Sequence, residues 1–313
     1  MADFFVSICI PAYKNAAFLD RLLNSIIGQT FRNFEVVIAD DSPNDEVFAV
    51  VKKYEGILSI QYQKNSLPLG SPENWNEAMR LAKGEWIKIM HHDDWFENDA
   101  SLDEFAKAAK DNAGAKFIFS GFVNVDTNTD SRMPFVISDF YLRMLKKTPL
   151  ILFKQNFIGH PSTTLIKNDK IFFYDKNIKW VVDFEFYIRF LSCNNFFAVR
   201  KPLVAIGIHE EQITKQAFRN PEVEIPEVLY LYYKLPAGSL KNIFVYDYYW
   251  RFVRNLSIRS DQHIKKYVPQ TVIPEVIRRM IRVQSRWNLK LLRIGFISKA
   301  LMLISYLSNY QKI

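Results

Sequence analysis

The chain has 313 residues, 49% hydrophobic and 24% charged, an ordinary globular balance that allows one large or two modest domains and excludes a disordered or fibrous chain. Two cysteines, Cys9 and Cys193, make neither a disulfide framework nor a zinc pattern, so a reducing compartment is expected. The net charge of +8 is uneven: residues 251–313 hold 13 Lys and Arg against 2 acidic residues, whereas the first 250 residues hold 28 against 31.

The N-terminal "MADFFVSICIPAY" lacks the basic start and long apolar run of a secretion signal. Residues 4–10 read as a buried strand. "NAAFLDRLLNSIIGQ" follows, with Phe18, Leu22, Leu23, Ile26 and Ile27 at helical spacing. "FEVVIAD" (34–40) predicts a second buried strand, "NDEVFAVVKKY" a helix with acids in its first turn, and "LSIQYQ" a third strand. "SPENWNEAMRLAK" predicts a helix with Ser71 as N-cap, Pro72 in its first turn and Gly84 as its stop. "EWIKIM" is a fourth strand. Strands alternating with helices in this way predict parallel pairing through right-handed crossovers. The expected fold is therefore α/β: an open, mostly parallel nucleotide-binding sheet flanked by helices.

Beyond residue 112 the pattern loosens. "AKFIFSGFVNV" reads as a strand, "SDFYLRMLKK" as a short helix and "PSTTLIKND" as a strand with a polar start. "VVDFEFYIRFLSC" is an amphipathic helix, and "NFFAVRKPLVAIGIH" one or two strands. From about residue 222 the chain is expected to be helical and basic. The predicted division is 1–221 for a catalytic domain and 222–313 for a helical C-terminal region. No run of about 18 uncharged apolar residues occurs, so no spanning helix is expected.

Three predicted strand ends are polar: "PAYKN", "DDSPND" and "HHDD". In an open α/β sheet, ligands bind beyond the carboxyl ends of the strands, so these groups are expected to share one crevice. Asp93 and Asp94 suit a hard divalent cation that takes one or two carboxylates and leaves room for phosphate oxygens; alone, they equally suit a helix N-cap beside a surface acid. Asp40 and Asp41 suit a nucleobase N–H or ribose hydroxyls, or a plain turn. Phosphate loops of the G-x-x-x-x-G-K-S/T and G-x-G-x-x-G types are absent, as are a G-x-S-x-G elbow and H-E-x-x-H. With ten glycines in all, phosphate is expected to be held by a cation.

Taken in order, "VSICIPAYKNAAFLDRLLNSIIGQTFRNFEVVIADDSPND" and "NWNEAMRLAKGEWIKIMHHDDW" resemble glycosyltransferase family 2, the inverting sugar-nucleotide transferases of the GT-A fold, with the acidic metal motif written as H-H-D-D. The likeness is close over 5–105 and looser over 155–215. It implies that Pro11, Ala12 and Tyr13 line the nucleotide pocket, with Tyr13 against the base, and that Asp41 binds the base. Asn65, Asn74 and Asn76 fall in the donor-binding part of the family pattern. Asp93 would face the ribose or donor sugar, and Asp94 would hold Mg²⁺ or Mn²⁺. His91 and His92 occupy variable positions. "KWVVDFEFYIRFL" resembles the segment that carries the catalytic base, which matches Asp183; Val182 stands where a second acid is common, and Glu185 lies on another part of the helix. "VAIGIHEEQIT" (204–214) resembles the segment that returns to the site, with His209 as a further metal ligand. His160 lies where the acceptor side is expected, and its role is open.

In the tail, Arg278, Arg282, Arg286, Lys290 and Arg293 fall on one helical stripe, with Ile277, Met280, Ile281, Trp287, Leu291 and Ile294 as apolar surface. This fits an interfacial membrane helix, or a helix packed on the catalytic domain with its charges in solvent. Nucleic acid is not expected, since no binding motif supports it. The function implied is sugar transfer from a nucleotide donor, expected to be UDP-linked, to an acceptor hydroxyl, with a lipid-linked glycan as the expected acceptor. This would place the protein in the cytoplasm, peripheral on the inner face of the cell membrane and against its anionic lipid. The other readings are a metal-dependent nucleotidyltransferase and a non-catalytic scaffold that binds sugar nucleotides.

Overall fold

The structure, a computed structural model, describes residues 4–209 and 217–312. These residues fall into two compact units, one of residues 4–142 and 157–209, the other of 143–156 and 217–312.

The first unit begins with β1 (Val6–Ala12), α1 (Ala16–Ile27), β2 (Phe34–Asp40), α2 (Glu46–Lys53), β3 (Ile60–Lys64), α3 (Glu73–Leu81) and β4 (Trp86–Ile89). All seven residues of β1 and all seven of β2 are buried, as expected of strands covered on both faces. On one face, Ile8, Ile10, Val36 and Ile38 pack with Leu19, Leu22 and Ile26 of α1 and Val47 and Val51 of α2. On the other, the Cys9 thiol meets the Ala78 carbonyl of α3 at 3.4 Å. β1 pairs in parallel with both β2 and β4, and β2 with β3. The chain therefore grows outward as β1-β2-β3 and returns to the far side of β1 for β4, which puts the order reversal between β1 and β4. Such a reversal opens a crevice at the carboxyl ends of those strands.

The rest of the unit extends this sheet with mixed direction. After β5 (Trp95–Phe96) and α4 (Ser101–Asp111) come β6 (Phe117–Asp126), β7 (Arg132–Phe135), α5 (Asp139–Lys147, where the chain leaves the unit), β8 (Thr164–Lys167), α6 (Val182–Leu191) and β9 (Phe196–Ile208). Among the described residues the strand order is β3-β2-β1-β4-β8-β6-β9-β5, with β7 on β6. β8 is antiparallel to β4 and to β6, β9 is parallel to β6, and β5 is antiparallel to β9.

Three local expectations change. α3 starts at Glu73, with Pro72 rather than Ser71 at the N-cap position. Gly84 does not stop α3, which ends at Leu81; a Cβ at Gly84 would lie 2.6 Å from the Ser7 backbone nitrogen, so this glycine permits a close approach of chain to β1. The two-residue β5 follows "HHDD" before α4 begins, because Trp95 and Phe96 pair with Ala205 and Val204 of β9.

The second unit is helical, with Pro221–Lys234, Ile243–Asn255, Asp261–Lys265, Glu275–Ser285, Leu289–Leu292 and Gly295–Asn309 as its principal helices. Its centre is aromatic. Tyr246, Tyr249 and Trp250 are fully buried, and the Trp250 indole donates to Ser298 Oγ at 3.1 Å. The single basic stripe expected over 278–293 does not form. Asn288 caps a new short helix by accepting from Lys290 N at 2.8 Å, which breaks the helical phase. Ile277, Met280 and Ile281 are buried, Arg278 pairs with Asp261, and Arg279 and Arg282 pair with Glu275. The exposed apolar surface lies further on, at Trp287, Leu291, Ile294, Phe296, Leu303, Ile304 and Leu307. No helix of the described residues is long and apolar enough to cross a membrane.

Candidate active site

The carboxyl ends of β1 and β2 build one wall of the crevice. Pro11 and Ala12 are buried at the end of β1 and Tyr13, just beyond, is 48% exposed, so it is turned to solvent rather than to the core. Asp40 is committed to the fold: its carboxylate accepts from Ser42 N at 2.8 Å and from the Tyr62 hydroxyl at 2.7 Å. Asp41 is buried and accepts from Asn65 Nδ2 at 2.7 Å, Leu69 N at 3.0 Å and Gly70 N at 2.8 Å. A carboxylate has about four acceptor positions, so one remains beyond these three. Asn65 also donates to Asn74 Oδ1 at 2.9 Å, and Asn74 in turn donates to the Ala39 carbonyl at 3.0 Å. Asn65 and Asn74 thus brace Asp41. Asn76 exchanges hydrogen bonds with the backbone of Tyr174, at 2.9 and 2.8 Å, and ties α3 to the segment before α6.

The other wall is the turn after β4. Asp94 is buried, and its Oδ1 accepts from Gly207 N at 3.2 Å. Asp93 accepts from, or shares a proton with, His209 Nε2 at 2.9 Å. Gly207 explains how β9 delivers His209 here: a Cβ on residue 207 would lie 2.5 Å from the Asp93 carbonyl, so only glycine lets the strand pass this close. Arg21 of α1 donates to that same carbonyl at 2.7 Å while its guanidinium stacks on Trp95, 3.8 Å from the ring centroid. Beneath the turn, Lys88 is fully buried between Phe105 and Phe96 and donates to the Ser162 carbonyl. Burial pushes its ammonium down to about 7, against the pull of Asp94.

The two carboxyls are pushed in opposite directions. Burial, together with the charge of Asp93, raises the Asp94 carboxyl well above the usual range. Burial acts on Asp93 in the same direction, but the His209 hydrogen bond and the charges of nearby imidazoles outweigh it and hold Asp93 low. Burial also lowers His91, to about 4, and His92 and His160. A carboxyl raised in the folded state costs stability once it must ionise. That cost is absent below the unfolded value, near pH 4, and grows as pH rises toward the folded value, by up to about 1.4 kcal/mol per pH unit. Asp94→Asn is therefore expected to raise the melting temperature of the metal-free protein, and by more at pH 8 than at pH 5. Thermal denaturation in chelator checks this; an equal shift at both values would contradict it.

Asp183 lies in the first turn of α6 and accepts from Phe184 N at 2.7 Å. Glu185 is not available for chemistry, since it is buried in an ion pair with Arg189 at 2.8 Å. An aromatic run joins α6 to the acid turn: Phe186 stacks on Tyr174 at 4.2 Å, Tyr174 meets Trp75 edge-on at 5.2 Å, and Trp75 lies 4.5 Å from the His91 ring. The Tyr174 hydroxyl is buried without a hydrogen-bond partner, and after burial itself the charge of Asp183 is the next cause that raises it. His160 packs edge-on against Phe122 at 6.0 Å.

The residues present fit a divalent cation. A ring nitrogen of His91 and one carboxylate oxygen from each of Asp93 and Asp94 lie within 4.8 Å of one another. His91 Nε2 is sealed from solvent with no partner among the described residues, an orphaned lone pair or N–H that native interiors rarely leave unused. His209, expected from sequence as a metal ligand, has its Nε2 2.9 Å from a carboxylate oxygen of Asp93. Residues 210–214 of the segment that suggested it lie outside the described residues.

Sequence reasoning passed over Arg21, Lys88, Ser162 and Gly207. For Lys88 there was a signal, a lone lysine inside the apolar run Trp86–Met90. Arg21 and Ser162 carry none, because only the tertiary fold brings them to the turn.

An uncharacterized glycosyltransferase of Rickettsia typhi is 23% identical over 220 residues, covering 69% of this chain and 68% of that protein. The poly(ribitol-phosphate) beta-N-acetylglucosaminyltransferase TarS of Staphylococcus aureus is 32% identical over 105 residues, 32% of this chain and 18% of TarS. The crystal structure of S. aureus TarS 1–349 in complex with UDP-GlcNAc superposes with a TM-score of 0.65 at 17% identity, covering 99% of this chain and 92% of that one; at this identity the likeness speaks for the fold. A Pyrobaculum calidifontis mannosyltransferase in complex with GDP-Man and Mn²⁺ gives a TM-score of 0.55 at 16% identity, over 98% and 86%. Residues 7–172 match the profile of glycosyl transferase family 2, and the chain belongs to that family.

Proposed function

We propose that this glycosyltransferase moves a sugar from a UDP-linked donor to a hydroxyl of a lipid-linked glycan, with inversion at the anomeric carbon. The observation that carries the reading is the pairing of a two-carboxylate turn at the sheet's order reversal, with Asp94 buried in it, with a carboxylate at the start of α6, linked through His91, Trp75, Tyr174 and Phe186. Tyr13 stacks on the base and Asp41 accepts its N–H. Asp93 faces the ribose or donor sugar, its charge held in place by His209. Asp94 is a ligand for Mn²⁺ or Mg²⁺, which when bound neutralises charge on the departing diphosphate.

Asp183 is the base. As the acceptor oxygen forms its bond to the anomeric carbon, the bond from that carbon to the diphosphate oxygen breaks, and the hydroxyl proton passes to Asp183. One displacement at one carbon inverts its configuration. The named relative TarS, with its UDP-GlcNAc complex, supports a uridine donor, and relatives that act on poly(ribitol-phosphate) support a surface-glycan role. Incubation with UDP-sugars, followed by NMR of the anomeric proton in the product, tests the reading. A product of inverted configuration is expected; retention, or release of pyrophosphate, would contradict it.

Residues 1–221 carry this chemistry in our reading, and 222–313 bring it to the cytoplasmic face of the membrane. The docking surface we assign is the outward stripe of the helix Gly295–Asn309, where Phe296, Leu303, Ile304 and Leu307 are exposed. Arg286, Lys290 and Arg293 lie just before it, also exposed and with no ion pair among the described residues. Each such cation contributes about 1 kcal/mol near an anionic leaflet. Wild-type protein is expected to float with anionic vesicles and to be released by salt, and Phe296→Asp with Leu307→Asp to stay at the bottom of the gradient. Equal flotation of both would remove this surface.

A further inference from the structure

We propose that His91 is a protein ligand of the ion held at Asp94, and that its nitrogen makes the site prefer Mn²⁺ over Mg²⁺. This rests on the metal-assisted reading above and adds to it a ligand and a metal preference.

Three features of the ring carry the inference. A nitrogen of His91 shares one small cluster with Asp93 and Asp94, all ligand atoms within 4.8 Å. Nε2 is buried and has no hydrogen-bond partner. The ring is fixed in position: its own backbone N–H donates to Ser162 Oγ at 3.0 Å, and its face lies against Trp75 at 4.5 Å. A ring held in place, with one nitrogen in the carboxylate cluster and Nε2 without a partner among the described residues, is preorganised for a cation, since the imidazole itself needs little further ordering when the ion arrives. Two other imidazoles nearby are already engaged. His209 Nε2 is bonded to Asp93, which suits an outer partner that orients a carboxylate, and His92 is hydrogen-bonded to the Pro11 backbone.

The donor set decides the metal. Mg²⁺ demands near-ideal octahedral oxygen coordination and keeps several waters. Imidazole nitrogen suits later first-row ions, and affinity for mixed N/O sites rises from Mn²⁺ along the series. An all-carboxylate turn would accept either ion; exchanging one oxygen for a fixed nitrogen weights the choice toward Mn²⁺.

The test is pulsed EPR of Mn²⁺ with the full-length protein, with and without UDP, together with Mn²⁺ titrations competed by Mg²⁺. Wild type is expected to show nitrogen coupling to Mn²⁺. His91→Ala is expected to lose that coupling and to bind Mn²⁺ at least about tenfold more weakly, the lower end of what losing even an outer partner of a metal site costs. His91→Asp, which supplies an oxygen donor on a shorter side chain, is expected to bind Mn²⁺ without nitrogen coupling and with a smaller preference over Mg²⁺. Coupling that persists in His91→Ala and vanishes in His209→Ala would overturn the proposal. So would Mn²⁺ binding that survives His91→Ala unchanged but is lost in Asp94→Ala, and that result would leave the metal-assisted reading intact. If wild type binds no Mn²⁺ under either condition, both fall together.

Discussion

Asp183→Asn is expected to bind the donor as the wild type does and to lose transfer by about 10²–10⁴-fold, the usual contribution of a positioned general base. The amide is nearly the same size and keeps an oxygen to accept from Phe184 N, so the start of α6 is preserved. What it loses is the capacity to take a proton from the acceptor hydroxyl. The neighbouring Glu185 cannot substitute, because it is buried and ion-paired to Arg189, which also donates to the Phe173 carbonyl at 2.7 Å. Single-turnover kinetics alongside donor binding separate the two effects. Undiminished transfer would remove Asp183 as the base, and a parallel loss of donor affinity would make it a binding residue instead.

Asp94→Ala is expected to abolish the metal-dependent part of donor binding, a loss greater than the about 10–100-fold that follows removal of an outer partner in metal sites. The effect should be confined to measurements made with Mn²⁺ or Mg²⁺, because the base contacts proposed for Tyr13 and Asp41 lie on the other wall. Isothermal titration of UDP in metal and in chelator checks it: the variant should give the same affinity in both, equal to that of wild type in chelator. A variant that still gains affinity from metal would place the ion elsewhere. Together with the expected rise in metal-free stability of Asp94→Asn, this describes a residue held at a cost to the fold for the sake of function, the usual exchange at an active site.

The first half of the fold was legible because its physics is local. Buried strands such as "FFVSICI" and "FEVVIAD" are continuous apolar runs, and α1 shows its stripe in Phe18, Leu22, Leu23 and Ile26. The polar strand ends then had to meet, since parallel pairing puts all carboxyl ends on one edge. Asp93, Asp94 and Asp41 became candidates in this way, and family resemblance added Asp183. The short strands β5 and β7 were not legible, because two- and four-residue segments carry no period and exist only through their partners β9 and β6. The C-terminal stripe failed for a related reason. A helical wheel assumes one continuous helix, and Asn288, a good N-cap in the midst of the pattern, restarts the phase. What the carboxylates would touch was also beyond sequence: the buried Lys88 beneath them, the carbonyl that Arg21 holds and the space only Gly207 leaves are all products of tertiary packing.

The account stands most directly on a thermal-shift measurement of the wild-type protein with UDP, with Mn²⁺ and with EDTA, beside Asp94→Ala. A ligand that binds the folded state at about a hundred times its Kd adds about 2.7 kcal/mol of stability. UDP is expected to raise the melting temperature of wild type in Mn²⁺, to raise it far less in EDTA, and to leave Asp94→Ala with only the smaller shift in either condition. Equal shifts in Mn²⁺ and EDTA, or a full metal-dependent shift in Asp94→Ala, would contradict it.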